Sequence, residues 1–198
     1  MKLKNCILYV AAGLLLAACS SAPQLDSPEA FEEVISTVND KVDKKYEIVR
    51  ILVYESDKLS NKRGTILVQM YHEGKRYSLS ITQDAEPKLE ESKGSYNGDA
   101  SKIKGIDLSK LSKDNYRKYV EQAVEIFGEA TGDVEYVYKG VGSFIIENNG
   151  KGDDVTYDID INFTEKDGAT RYQGRNIITD YYEVGFRVDK DGNVEMKE

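Results

Sequence analysis

The sequence predicts an α+β domain in which a helix followed by three antiparallel strands occurs twice. Apolar residues recur at helical spacing in two segments that lie about 80 residues apart. Between and after those segments, runs rich in Val, Ile, Tyr and Phe alternate with polar residues as strands do. For this order of elements, the economical arrangement is antiparallel sheet with the helices packed on one face.

The first unit is expected at residues 28–83. Ser27 followed by Pro28 is typical of an N-cap with proline at the first helical position. The helix that follows has an apolar stripe made of Phe31, Val34, Ile35, Val38 and Val42. Strands are predicted at residues 46–55, 65–71 and 76–82, the last two joined by a hairpin at 72–75.

Residues 84–107 are rich in Lys, Glu, Ser and Gly, and we expect a flexible polar linker there. The second unit is expected at residues 108–198, with a helix that begins near Ser112 and stops at Gly132. The apolar stripe of this helix comprises Tyr116, Tyr119, Val120, Ala123, Val124 and Phe127. Strands are predicted at residues 134–147, 155–163 and 177–188, with a short return from Val194.

The strand at residues 155–163 alternates cleanly, which predicts a sheet with one face in water. A break in regularity is expected in the preceding strand, where Gly140 and Gly142 favour a bulge. On the alternating strand the apolar set is Val155, Tyr157, Ile159, Ile161 and Phe163, and the polar set is Thr156, Asp158, Asp160 and Asn162.

The N-terminus has the features of an export signal. Lys2 and Lys4 precede an apolar run at residues 7–18, which is shorter than the roughly 20 residues needed to span a bilayer. Leu16, Ala17, Ala18 and Cys19 then resemble the lipobox of bacterial lipoproteins.

That resemblance implies a signal peptide at residues 1–18, acylation of Cys19 and a tether at residues 19–27. In a Gram-negative host, Ser20 after the cysteine implies the outer membrane, and the protein is then extracytoplasmic and membrane-anchored through lipid. Two or three acyl chains suffice for stable anchoring. The alternative is a plain cleaved signal followed by an unrelated cysteine.

Removal of the signal changes the charge and the chemistry of the chain. It takes Lys2 and Lys4 and no acid, so 25 basic residues remain against 35 acidic ones. This balance argues against nucleic acid as a partner and against binding of an anionic membrane by the domain itself. Cys6 leaves with the signal and Cys19 is consumed by lipid, which leaves no thiol for catalysis, disulfides or zinc.

The C-terminal run also carries a resemblance. Tyr182, Val184, Phe186 and Val188 alternate into a turn at residues 189–193. The pattern is similar to the closing hairpin of PepSY-like and beta-lactamase-inhibitor-like secreted domains. It implies an extracytoplasmic binding or inhibitory module without catalysis.

The predicted binding face contains Asp158 and Asp160, which share one strand face, with Arg187 on a neighbouring strand. Tyr136 and Tyr138 also share a face, and tyrosines are favoured on binding surfaces. The two acids, about 6.5–7 Å apart along the strand, permit a second interpretation, because glycoside hydrolysis needs two carboxyls at roughly 5–10 Å.

The sequence gives little support for a catalytic triad or a calcium site. His72 is the sole histidine and lies beside a predicted turn, so a Ser-His-Asp triad is not expected. The turn at residues 189–193 resembles a fragment of a calcium loop, but it lacks the full ligand pattern and flanking helices. We therefore expect no metal, no cofactor and no catalytic residue.

The sequence predicts a lipid-anchored, non-catalytic binding or adaptor protein of the bacterial envelope, with an envelope protein as its partner. A carboxylate-dependent hydrolase of envelope glycans and a structural envelope protein are the alternatives. Oligomeric state and host type stay open.

Overall fold

The computed structural model describes residues 23–95, 102–131, 135–166, 170–173 and 176–197. Within them, two α-helices accompany an eight-stranded antiparallel sheet and a separate two-stranded sheet, which confirms the α+β class. The helices are α1 (Pro28–Lys41) and α2 (Lys113–Thr131). The strands are β1 (Glu47–Glu55), β2 (Arg63–His72), β3 (Lys75–Ile81), β4 (Lys88–Ser95), β5 (Tyr136–Glu147), β6 (Thr156–Glu165), β7 (Thr170–Gln173), β8 (Asn176–Thr179), β9 (Tyr182–Val188) and β10 (Val194–Met196).

The large sheet has the strand order β10-β9-β6-β5-β1-β2-β3-β4. The first strand after each helix, β1 and β5, pair with each other in the middle of the sheet, with Leu52 opposite Ile145. Each side of this central pair continues as a meander. The two units predicted from the sequence therefore share one continuous sheet.

The predicted count of three strands after each helix is wrong. In the first half, β4 lies inside the stretch expected to be a flexible linker and pairs with β3. The sequence pattern did not predict β4 because its side chains are largely charged. An edge strand needs backbone pairing on one side only and therefore tolerates charge. In the second half, the strand expected at residues 177–188 is two strands, because β8 pairs with β7 in the small sheet whereas β9 pairs with β6.

Both helices begin where the sequence predicts. The Ser27 hydroxyl oxygen accepts from the backbone N–H of Ala30 at 3.1 Å, and Pro28 opens α1. At α2, the Ser112 hydroxyl accepts from the N–H of Asn115 at 3.3 Å. Seven buried helix residues belong to the predicted stripes, and Ala30 of α1 is buried in addition: Phe31, Val34 and Val38 in α1, and Tyr116, Val120, Ala123 and Phe127 in α2. Ile35, Tyr119 and Val124 of the predicted stripes are only partly buried.

Aromatic side chains connect the helices to the sheet. Phe31 of α1 stacks on Tyr116 of α2 with ring centroids 4.7 Å apart, and both rings contact Phe144 of β5. Further along α2, Phe127 stacks on Phe163 of β6 at 4.1 Å. Since burying one large apolar side chain is worth about 1.5–3 kcal/mol, these rings are major contributors to the core.

The bulge predicted at Gly140 and Gly142 is confirmed by two register shifts in the β5–β6 ladder, one between Tyr138 and Gly140 and one between Val141 and Ser143. Gly140 has a φ of +116°, and a Cβ there would lie 2.2 Å from Cγ of Asn61. Asn61, in the β1–β2 loop, uses its side-chain oxygen to accept from the N–H of Val141 at 3.1 Å. The glycine is therefore required both by its backbone angle and by the approach of Asn61.

The chain enters the fold earlier than expected. Leu25 is fully buried, and its N–H donates to the Asn61 carbonyl at 2.8 Å. Its own carbonyl accepts from the Tyr116 hydroxyl at 2.9 Å. The last part of the predicted tether at residues 19–27 is thus folded structure. The lipobox residues and Cys19 lie outside the described residues.

Candidate binding face

The sheet has a second face, here called the outer face, whose side chains alternate with those of the core. On β6, for example, Asp158 and Asp160 flank the fully buried Ile159. The predicted alternation is therefore confirmed for residues 156–160. It is wrong at Asn162, which was expected on the face in water but is 1% exposed and donates to a carboxylate oxygen of Glu55 at 3.1 Å. The outer face is made by Arg50, Leu52 and Tyr54 of β1, Leu67 and Gln69 of β2, Ser143, Ile145 and Glu147 of β5, Asp158 and Asp160 of β6, and Gly185 and Arg187 of β9.

Asp158 is the centre of an ion cluster on this face. Arg187, directly opposite on β9, donates through Nε at 3.1 Å and Nη2 at 3.4 Å to its two carboxylate oxygens. Nζ of Lys197 lies 3.2 Å from Oδ1 of Asp158. Partial burial by itself raises the pKa of Asp158, but the hydrogen bonds and charges of these two cations outweigh it and hold the pKa below its usual value.

Asp160 is engaged separately. One of its carboxylate oxygens accepts from the Ser143 hydroxyl at 2.6 Å. On its other side it faces Gly185, where an added Cβ would lie 3.2 Å from the carboxylate. The cross-strand neighbours of the two acids are thus an arginine, a serine, a glycine and the aliphatic Ile145, and none of these four carries a carboxylate.

Beside the ion cluster runs a short aliphatic row across three strands. Leu52 of β1 lies opposite both Leu67 of β2 and Ile145 of β5, and all three side chains are partly exposed. Ile145 in turn lies opposite Asp158, so the row leads directly into the cluster. Tyr54, next on the same face of β1, is 44% exposed. An apolar centre bordered by paired charges is the usual composition of a protein–protein contact.

One end of the outer face holds a cleft of about 300 Å³, here called the arginine cleft. Arg76 donates through Nη2 to the side-chain oxygen of Gln69 at 2.5 Å, and Nε of Arg50 lies 3.5 Å from a carboxylate oxygen of Glu147. The Nε atoms of Arg50 and Arg76 are buried, and neither has a hydrogen-bond partner among the described residues. The cleft thus holds two guanidinium groups, of which Arg50 lies beside the Glu147 carboxylate and Arg76 binds the Gln69 side chain.

The residues of the arginine cleft are not among the site residues predicted from the sequence. The available signal was their alternation, since Arg50 and Gln69 each interrupt an otherwise aliphatic strand at positions that point away from the core. That pattern identifies the face of each strand. It does not show that the start of β1 meets the ends of β2 and β5.

The structure does not bring Tyr136 and Tyr138 to the outer face. Tyr138 lies opposite the core residue Phe163, and its hydroxyl donates to Asp26 at 2.6 Å. Tyr136 packs edge-on against Phe127 of α2 at 5.1 Å. Along β5, Tyr138 shares the core face with Val141 and Phe144, whose partners on β6 are the buried Ile161 and Ile159. Of the five predicted face residues, Asp158, Asp160 and Arg187 lie together on the outer face.

The other two side chains considered for catalysis or metal binding, those of His72 and Asp189, make contacts that stabilise local structure. Nδ1 of His72 lies 3.1 Å from the Lys45 carbonyl oxygen, and its ring packs edge-on against Tyr46. Asp189 accepts from the N–H groups of Asp191 and Asn193 at 2.9 Å each, which closes the turn before β10. Hydrogen bonds from Asn193 are the main reason that the pKa of Asp189 is lowered. In the described parts of the chain, no group of three or more His, Cys, Asp or Glu side chains is placed to hold a metal ion.

Comparison with known proteins identifies no relative. No family model, no curated protein and no solved structure matches the chain. Neither of the two described α-helices is both long and apolar enough to cross a membrane.

Proposed function

We propose that this protein is a lipid-anchored, extracytoplasmic binding protein of the bacterial cell envelope that holds an envelope protein on its outer face without catalysing a reaction. The location rests on the likeness of residues 16–19 to a lipobox. The observation that carries the binding function is the aliphatic row of Leu67, Leu52 and Ile145, set between the Asp158 cluster and the arginine cleft.

The outer face suits recognition because its charges are already placed. Asp158 and Arg187 hold each other in a two-point pair, so little side-chain freedom is lost when a partner covers them. The central strands that carry the aliphatic row are paired on both sides, which keeps this surface rigid. A partner that buries these aliphatic side chains gains the free energy of apolar burial. Little conformational entropy is lost, because the strands are already ordered.

The hydrolase alternative has weaker support. A general acid for glycoside cleavage needs a carboxyl whose pKa is raised, with a second carboxyl in a different environment. The pKa of Asp158 is lowered instead, because Arg187 and Lys197 stabilise its charged form. Asp160 is bound to Ser143 on the same strand face.

We further propose that the two halves of the domain are structural repeats and that both helices cover the core face of the sheet. Each helix precedes a meander of four strands in the large sheet, and the first strands, β1 and β5, pair at its centre. Ring contacts of α1 and α2 with Phe144 support the shared face.

The binding proposal is tested by photocrosslinking in intact cells that express the full chain. A photoreactive phenylalanine analogue replaces Tyr54 on the outer face, and the control carries it at the exposed Gln122 on α2. We expect one defined protein adduct from position 54 and none of that species from position 122. The same adduct from both positions, or no protein adduct from position 54, would contradict the proposal.

The anchor has its own test. Cys19→Ala should release the protein from the membrane fraction or leave it unprocessed, and should abolish incorporation of labelled fatty acid. Retention of Cys19→Ala in the membrane at the wild-type level would contradict anchoring through this residue.

A further inference from the structure

The connection between the proposed lipid anchor and the folded domain is short. Leu25 is fully buried and held by hydrogen bonds to Asn61 and Tyr116. Five residues lie between it and Cys19, which makes six steps from one Cα to the next. Even a fully extended chain spans only about 3.3–3.6 Å per residue, or roughly 20 Å in all. An acylated Cys19 in the bilayer would therefore keep the surface around Leu25 close to the lipid headgroups.

The surface around Leu25 is one particular end of the sheet. Asn61, which binds Leu25, belongs to the loop between β1 and β2. Asp26, the next residue, binds Tyr138 near the start of β5. Tyr138 lies opposite Phe163 near the end of β6, and Phe163 lies opposite Tyr182 at the start of β9. The end of β1, the start of β2, the start of β5, the end of β6 and the start of β9 therefore lie at one end of the sheet, near the anchor.

This end carries exposed amphipathic side chains. Tyr181 is 38% exposed and Tyr182 is 43% exposed. Lys58, in the same loop as Asn61, lies over the Tyr181 ring at 5.6 Å and forms an ion pair with Glu183. The Tyr182 hydroxyl donates to Glu165 at 2.7 Å, and its partly exposed ring packs edge-on against Tyr136 at 5.4 Å. We call this set, Lys58, Tyr181 and Tyr182, the tyrosine end.

We propose that the tyrosine end rests on the bilayer surface, with its rings at the level of the lipid headgroups. Tyrosine is favoured at membrane interfaces because an apolar ring and a polar hydroxyl suit the boundary, and lysine extends its ammonium group into the headgroups. This inference rests on the proposed anchoring at Cys19.

The charges at this end indicate the kind of lipid surface. Lys58 is neutralised by Glu183, and nearby Lys166 pairs with Glu135. An end without a cationic excess gains little from an anionic surface. The contact should therefore depend on the rings and on the tether and not on anionic lipid.

The opposite end then faces away from the membrane. The arginine cleft is formed where β1 begins and where β2 and β5 end. From Glu47 to Glu55 the nine-residue β1 rises about 26 Å. The outer face thus stands upright on the membrane, with its cleft at the far end from the lipid.

Lipid photocrosslinking in the full chain tests this orientation. A photoreactive phenylalanine analogue replaces Tyr182, and the control replaces the exposed Lys44. Lys44 follows the end of α1, whose 14 residues span about 21 Å away from Leu25. After irradiation of cells, mass spectrometry measures phospholipid adducts on the tryptic peptide that contains each position. The peptide with residue 182 is separate from the one with Cys19, so acylation and crosslinking are read independently.

We expect phospholipid adducts at position 182 in several-fold excess over position 44. With Cys19 acylated, equal adducts at the two positions, or more at position 44, would overturn this inference alone. Absence of acyl chains on Cys19 would overturn the anchoring proposal and this inference with it. The analogue at Lys58 gives a second position at the same end, and wild-type resistance to protease shows that each variant is folded.

Discussion

The Tyr116 hydroxyl donates a hydrogen bond to the Leu25 carbonyl over 2.9 Å, although the two residues are 91 positions apart in the chain. Both side chains are fully buried. The pKa of Tyr116 is raised well above its usual value, mainly by burial and further by the charge of Asp26. The hydroxyl therefore remains a donor at any physiological pH and ties α2 to the segment that precedes α1.

Tyr116→Phe should destabilise the domain by about 1–3 kcal/mol, because the Leu25 carbonyl would lose its buried donor while the ring packing is kept. Urea unfolding followed by circular dichroism measures the effect. Tyr119→Phe is the matched control on the same helix, where the side chain is partly exposed. Equal stability of wild type and Tyr116→Phe would show that the bond contributes nothing.

Gly140→Ala should destabilise the fold strongly. The positive φ alone costs a non-glycine residue about 1–3 kcal/mol, and the new Cβ would also clash with Asn61 at 2.2 Å. Gly128→Ala in α2 is the contrasting variant, because a Cβ there meets nothing within 4 Å. It should stabilise the protein by about 0.4–1 kcal/mol through helix propensity and reduced chain entropy. Thermal unfolding of both variants checks the opposite signs.

Asp158→Asn should cost on the order of 1 kcal/mol at pH 7, since Arg187 is about half exposed and such pairs are partly screened. The folded-state pKa of Asp158 is lowered, so its contribution is present above the unfolded pKa of about 3.9 and is lost as the pH falls through the folded value. Denaturant midpoints of wild type and variant should therefore differ at pH 7 and converge in strong acid. A difference that persists unchanged at low pH would point to packing as its cause.

Leu52→Asp tests the aliphatic row. The side chain is only partly buried, so an acidic residue can reach water and the fold should survive. In the crosslinking experiment at position 54, the variant should lose the protein adduct, because a charge is placed at the apolar centre of the contact. Glu90→Gln, on the edge strand β4, changes charge outside the row and should keep the adduct. An undiminished adduct from Leu52→Asp would exclude the row from the interface.

Local pattern was sufficient for much of the fold. The Ser27 cap, the stripes of α1 and α2, the alternation of β6 up to Asp160 and the bulge at Gly140 follow from spacing between near neighbours, and the structure contains each of them. The same reasoning missed β4, because the backbone bonds that create an edge strand leave no apolar period in its side chains.

The sequence by itself determined the two amphipathic helices, the wet face that carries Asp158 and Asp160, and the lipobox-like segment at residues 16–19 on which the proposed location depends. Only the tertiary structure decided that Arg187 pairs with Asp158, that Tyr136 and Tyr138 turn to the core face, and that Leu25 is buried against Tyr116. The physical reason is the distance along the sequence over which each feature is determined. Periodicity reports how one segment divides between core and water, whereas strand register and contacts over about a hundred positions depend on how distant segments fit together.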